Sequence, residues 1–131
     1  RLSMIGNSYG GFREGSVRNY KSGWYKGIHC DSSWELAFVV YHTDIGSSIN
    51  RCDEIRHYIL NGCLREFHPD FIVNGTIYEI KGIVDEMANA KRSYNQDVIF
   101  LYKHDMDFYI NYVVSKYGKD FIKLYEKRDK S

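Results

Sequence analysis

The sequence predicts an α/β domain whose mixed sheet is an antiparallel meander plus a further strand, flanked by helices. Three observations carry that expectation. Two Asn-Gly pairs, Asn61-Gly62 and Asn74-Gly75, each sit between apolar-rich runs, which is a strong short-range hairpin signal. Segments with apolar residues three and four apart lie on either side of them. A continuous apolar run, "DVIFLYK", follows the second helical segment. The chain has 131 residues, enough for one domain with a core that needs no staples.

In chain order, residues 1–26 form a basic, aromatic, Gly-rich arm in which Arg1, Arg13, Arg18, Lys21 and Lys26 face the single acid Glu14. Tyr9, Phe12, Tyr20, Trp24 and Tyr25 are interleaved with these charges. The mixture suits a surface that follows a nucleic-acid backbone and stacks bases, and equally an arm whose aromatics dock on the domain. A helix is expected to begin near Ser33, with Trp34, Ala37, Phe38 and Tyr41 on one face and Leu36, Val39 and Val40 on a second. Gly46 is its expected stop. Composition then turns towards strand from Ile49 to Leu60, weakened by Asp53 and Glu54. The Asn61-Gly62 turn pairs Leu60 with Cys63 and Tyr58 with Arg65, and the two turns in series give a three-stranded meander ending at Lys81. Residues 83–96 are expected to be helical, 97–103 a strand buried on both faces, and 105–117 a helix closed by Gly118. The tail "KDFIKLYEKRDKS" fits a helix or a strand.

The residues suited to chemistry lie around the second hairpin, in "CLREFHPDFIVNGTIYEIKG". A two-residue turn at Asn74-Gly75 pairs Ile72 with Ile77 and Phe71 with Tyr78, so Asp70 stands across from Glu79. Lys81 shares Glu79's face because strand side chains alternate. Opposed like charges on neighbouring strands are destabilising, and a divalent cation would offset that cost. Mg²⁺ takes hard oxygen ligands and keeps several waters, so two carboxylates on rigid backbone suit it. Lys81 would orient the attacking water or stabilise charge on phosphorus. Glu35 is a candidate third carboxylate, although Ser32-x-x-Glu35 is also a capping box. Asp70 and Lys81 could also form only a cross-strand salt bridge, which leaves Glu79 unexplained. Pro69 lacks a ladder donor and marks an edge or a bulge. His68 is a candidate for phosphate contact or support of the site, or simply an exposed sheet histidine.

Pro69-Asp70, an eight-residue gap, then Glu79-Ile80-Lys81, after a helix bearing Glu35, resembles the PD-(D/E)XK nuclease superfamily. Together, "YKSGWYKGIHCDSSWELAFVVYHTDIG" and "REFHPDFIVNGTIYEIKG" are similar more narrowly to its phage and organelle homing-endonuclease-like members. The resemblance implies a restriction-endonuclease-like core over residues 27–131 and a Mg²⁺-dependent DNA endonuclease, with Mn²⁺ able to substitute. It implies metal binding by Asp70 and Glu79, a water-orienting role for Lys81 and support from Glu35. A further polar residue is expected on the helix after the motif, for which Lys91, Arg92 and Gln96 are alternatives. Double-stranded DNA is the expected substrate, contacted by Arg13, Arg18, Lys21, Lys26, Lys91 and Arg92, and cutting both strands normally calls for a homodimer. The alternatives are a structure-specific nuclease such as a junction resolvase, and a non-catalytic nucleic-acid-binding module.

The remaining sequence features bound the setting. Lys and Arg number 18 against 17 Asp and Glu, so whole-chain charge does not announce a nucleic-acid partner. No apolar run approaches the ~18 residues that span a bilayer. Three cysteines without a C-x-x-C pair fit reduced thiols and a cytoplasmic protein, in a bacterial host cell if phage-encoded. A start at Arg1 without Met, with a basic arm beside it, is expected of the end of a longer protein.

Overall fold

The computed structural model describes residues 22–126. It is α/β, with three α-helices and a sheet that mixes antiparallel and parallel pairing. The residues form two compact units, the first from those up to Tyr41 and from Phe108 onward, the second from His42 to Asp107.

In the first unit, β1 (Gly23–Tyr25) and β2 (Ile28–Cys30) pair antiparallel around Lys26 and Gly27, both at positive φ. The division drawn between residues 26 and 27 falls in this turn. Gly23 lies so close to the Tyr125 ring that a Cβ would come within 2.7 Å of it. α1 (Ser33–Asp44) buries Leu36, Ala37, Phe38, Val39 and Val40 completely, as its two apolar faces anticipate. Its Tyr41 meets Phe108, Tyr109 and Tyr112 of α3 (Lys103–Tyr117) edge-on, with ring centres 5.0–5.3 Å apart. Gly118 ends α3 at φ +97, its amide donating to the Val114 carbonyl at 2.9 Å. The described part of the ambiguous tail holds a 3₁₀ turn, Phe121–Leu124, after which the Glu126 amide donates to the Trp24 carbonyl at 2.7 Å.

In the second unit, Gly46 stops α1 at φ +83, and the Ser47 amide donates to the His42 carbonyl at 2.9 Å. The expected run from Ile49 to Leu60 is two strands, β3 (Ile49–Arg51) and β4 (Arg56–Leu60), interrupted where Asp53 and Glu54 stand exposed. β4 and β5 (Cys63–Phe67) pair in the expected register about Asn61-Gly62. β6 (Phe71–Val73) and β7 (Thr76–Ile80) do so about Asn74-Gly75, where φ values of +49 and +86 fit the primed turn that Asn and Gly adopt most readily.

The two hairpins do not join into a meander. β4 and β5 form a sheet of their own, and β6 pairs instead with β3 in a four-stranded sheet of order β3-β6-β7-β8. Pro69, fully buried between β5 and β6, has no amide to extend a ladder, so the chain leaves one sheet there and enters another. β8 (Ile99–Leu101) runs parallel to β7, with Glu79 level with Phe100. Phe100 and Leu101, which point to opposite faces, are both buried as expected, but Ile99 at the start of the strand is exposed. α2 (Glu86–Tyr94) begins three residues later than expected, because Asp85 caps it by accepting the Ala88 amide at 2.8 Å while Ile83 and Val84 stay exposed.

α2 packs on the β4–β5 hairpin through a core that includes Tyr58, Phe67, Ile77, Ala88, Val98 and Phe100. Each large side chain so buried contributes roughly 1.5–3 kcal/mol. Polar bonds fix the same contact. Arg56 grips Asp97 through two bonds of 2.8 Å, and the Asn95 side-chain amide donates to the carbonyls of His57 and Lys91 at 2.9 Å each.

Candidate active site

Asp70 stands where β6 departs from regular pairing. In an undistorted ladder the Phe71–Tyr78 pair would be followed by residue 69 bonding to Ile80. Here the Asp70 amide also turns to the Tyr78 carbonyl (3.1 Å), its carbonyl accepts the Cys52 amide (3.1 Å), and the Ile80 amide donates to Asp70 Oδ2 (2.8 Å). The side chain thus takes over an acceptor role in the ladder, as a bulge beside Pro69 allows. Cross-strand pairing ends at Phe71–Tyr78, so Asp70 and Glu79 are not a regular ladder pair. Their carboxyl groups are nevertheless close enough for the charge of Glu79 to act on Asp70.

Both acids are withdrawn from water, Asp70 with 15% of its side chain exposed and Glu79 with 8%. Burial first, and then the charge of Glu79, push Asp70 up to about 7, against the opposing pull of the Ile80 amide and Arg51. The Arg51 guanidinium lies 3.9 Å from Asp70 Oδ1 and stacks 4.8 Å from the centre of the Phe71 ring. Sequence reasoning missed Arg51, because its place depends on the non-local pairing of β3 with β6; its only local sign was a cation in a strand-like run.

Glu79 points to the face of the sheet that carries Ile77 and Phe100 and is covered by α2. From that helix Lys91, which is buried, brings Nζ to 3.9 Å from Glu79 Oε2. The Lys91 ammonium also lies 4.8 Å from the Phe67 ring centre and 5.7 Å from that of Tyr58. Burial, followed by repulsion from Lys81, lowers its pKa, while Glu79, Asp70 and Asp85 oppose the shift. Lys81 is half-buried, with its amide bonded to the Leu101 carbonyl at 2.8 Å, and is near enough to Lys91 for the two ammonium groups to repel.

Of the three alternatives on the following helix, Lys91 is the one that reaches the acidic pair. Its burial takes it off the surface where a phosphate contact was expected. Arg92 and Gln96 are exposed and line a groove along one flank of α2. His68 is exposed. Glu35 belongs to the first unit, where Ser32 Oγ accepts the Glu35 amide at 3.2 Å and Glu35 Oε1 accepts the Asp31 amide at 2.9 Å. This is a capping arrangement shifted by one residue from the reciprocal bond to Ser32 that a standard box makes. Lys26 occupies the β1–β2 turn, with its amide donating to the Glu126 carboxylate. Arg13, Arg18 and Lys21, the other expected DNA contacts in the arm, lie outside the described residues.

Two neighbouring carboxylates, one of which holds its proton more tightly because of the other, fit Mg²⁺, which binds proteins through one or two carboxylates and completes its shell with water and substrate phosphate. Among the described residues no group of three or more His, Cys, Asp or Glu side chains is arranged to hold a metal, and Asp70 and Glu79 are the two carboxylates that would hold one here. No helix among the described residues is long and apolar enough to cross a membrane. In comparisons with known proteins, no family model, no curated protein and no solved structure matches the chain.

Proposed function

We propose that the chain is a Mg²⁺-dependent DNA endonuclease with a restriction-endonuclease-like core, of the homing or mobile-element type, acting on double-stranded DNA. The observation that carries this reading is the meeting of Asp70 and Glu79 on adjacent strands, with Lys81 two positions past Glu79 and Lys91 directed at Glu79 from α2. A surface salt bridge needs neither two acids so largely withdrawn from water nor a buried lysine beside them.

Asp70 and Glu79 would hold Mg²⁺, which when bound polarises the phosphate and makes water acidic enough to attack at neutral pH. The chain's own groups do the rest. The Ile80 amide fixes one Asp70 oxygen and Arg51 attends the other, so the carboxylate is oriented before substrate arrives. Lys91 positions Glu79 in the same sense. Lys81 orients the attacking water and offsets the negative charge that builds on the phosphate oxygens.

The test is nicking of supercoiled plasmid by the purified chain with Mg²⁺ and with EDTA. Cleavage that requires Mg²⁺ is the expected result. DNA binding without cleavage, in Mg²⁺ and in Mn²⁺ alike, would favour the non-catalytic binding module and overturn the proposal.

A further inference from the structure

One flank of α2 and the end strand of the sheet enclose an open groove of about 600 Å³, within the ~300–1,000 Å³ range of ligand sites. Asn89, Arg92 and Ser93 line it from the helix, three and four residues apart, and Gln96 from the loop that follows; all four are exposed. Val98 and Ile99 contribute an apolar wall, and Ile99 is 42% exposed. No acid lines the groove, and its one cation is Arg92. The inner face of the same short helix carries Lys91 to Glu79.

These side chains are the types that recognise nucleotides. Amides of Asn and Gln bond base edges in pairs, Ser bonds either donor or acceptor, a guanidinium takes a phosphate or guanine, and an apolar wall accepts a base face or thymine methyl. Shape then chooses the form of the nucleic acid. A duplex offers its base edges inside its own grooves and is read by a convex helix or ribbon that enters them. A concave site between a helix and a sheet edge instead admits a strand whose bases are free to turn into it. Resting on the nuclease reading of Asp70 and Glu79, we infer that this groove binds an unpaired DNA segment next to the phosphate to be cut, so the enzyme prefers junctions between duplex and single strand to blunt duplex. Helix α2 couples the two sites, with Lys91 turned to the acids and Asn89 and Arg92 turned to the unpaired strand.

The test is fluorescence anisotropy of the full chain in EDTA, so that binding is read without cleavage. The probes are a blunt duplex and the same duplex with an unpaired tail of random sequence. The tailed probe should bind about tenfold tighter, the effect of roughly one bidentate amide–base pair. The double variant Asn89→Ala/Gln96→Ala should lose that preference while keeping the wild-type affinity for blunt duplex. Arg92→Gln should weaken tail binding and lower its salt slope by about one. Equal wild-type affinity for both probes, or a tail preference untouched in these variants at unchanged thermal stability, overturns the inference. The two readings fail separately. Mg²⁺-dependent cleavage of blunt duplex without tail preference removes the groove proposal alone, and tail preference without cleavage removes the hydrolase alone.

Discussion

Asp70 concentrates the tension at this site, because it is an acid held out of water beside a second acid while serving as a backbone acceptor for Ile80. Its proton is therefore bound more tightly in the folded chain, at about 7, than in the unfolded chain, near 3.8. Between those values the native state binds more protons, so the stability this group contributes is complete below about pH 4 and is lost as pH rises through about 7. Without divalent cation, wild type should lose stability over that window by an amount of the order of a few kcal/mol that Asp70→Asn does not lose. Thermal melts of both proteins in EDTA across pH 4–8 check it, and parallel curves would contradict it. Lys81 makes a kinetic prediction. If Lys81 acts as proposed, its charge matters most as the phosphate gains negative charge, and Lys81→Ala should lower kcat by roughly a hundredfold with little change in DNA affinity. A variant that loses affinity alone would make Lys81 a phosphate clamp.

At the scale of elements, α1 is where one carboxylate has two readings. The bonds from Asp31 to Glu35 and from Glu35 to Ser32 describe a helix cap. Ser32→Ala should then cost about 1 kcal/mol, whereas Glu35→Gln, which keeps an acceptor for the Asp31 amide, should be nearly silent in stability. Denaturant titrations of the two variants test the cap, and cleavage by Glu35→Gln tests the other reading: full activity assigns Glu35 to the cap, and impaired cleavage at unchanged stability assigns it to the site. Both Asn-Gly hairpins were legible because the demand for positive φ is local and few residues meet it. Their association was not. Whether β5 continues to β6 depends on Pro69 and on the capture of β6 by β3, a pairing that no nearby residue encodes. The choice among Lys91, Arg92 and Gln96 was hidden for a related reason. A lysine is buried here because Tyr58 and Phe67, from the hairpin, form the wall its ammonium faces, and only the folded contact creates that wall.

For the whole molecule, the sequence and the structure agree on an α/β chain with a mixed sheet, and the short motif agrees with the geometry in bringing Asp70 to Glu79. Helix α2 then supplies what the motif lacks, a cation from above the sheet. If this grouping exists for catalysis, its acids carry a cost in stability that their removal relieves. The most direct measurement is mapping of cleavage on random-sequence duplex DNA with Mg²⁺ by wild type, Asp70→Ala and Glu79→Ala, alongside DNA affinity and melting temperature. Cleavage by wild type alone, with both variants binding DNA normally and melting no lower, is the predicted result. Full cleavage by Asp70→Ala or Glu79→Ala would contradict it and leave the acidic pair a structural feature of the sheet.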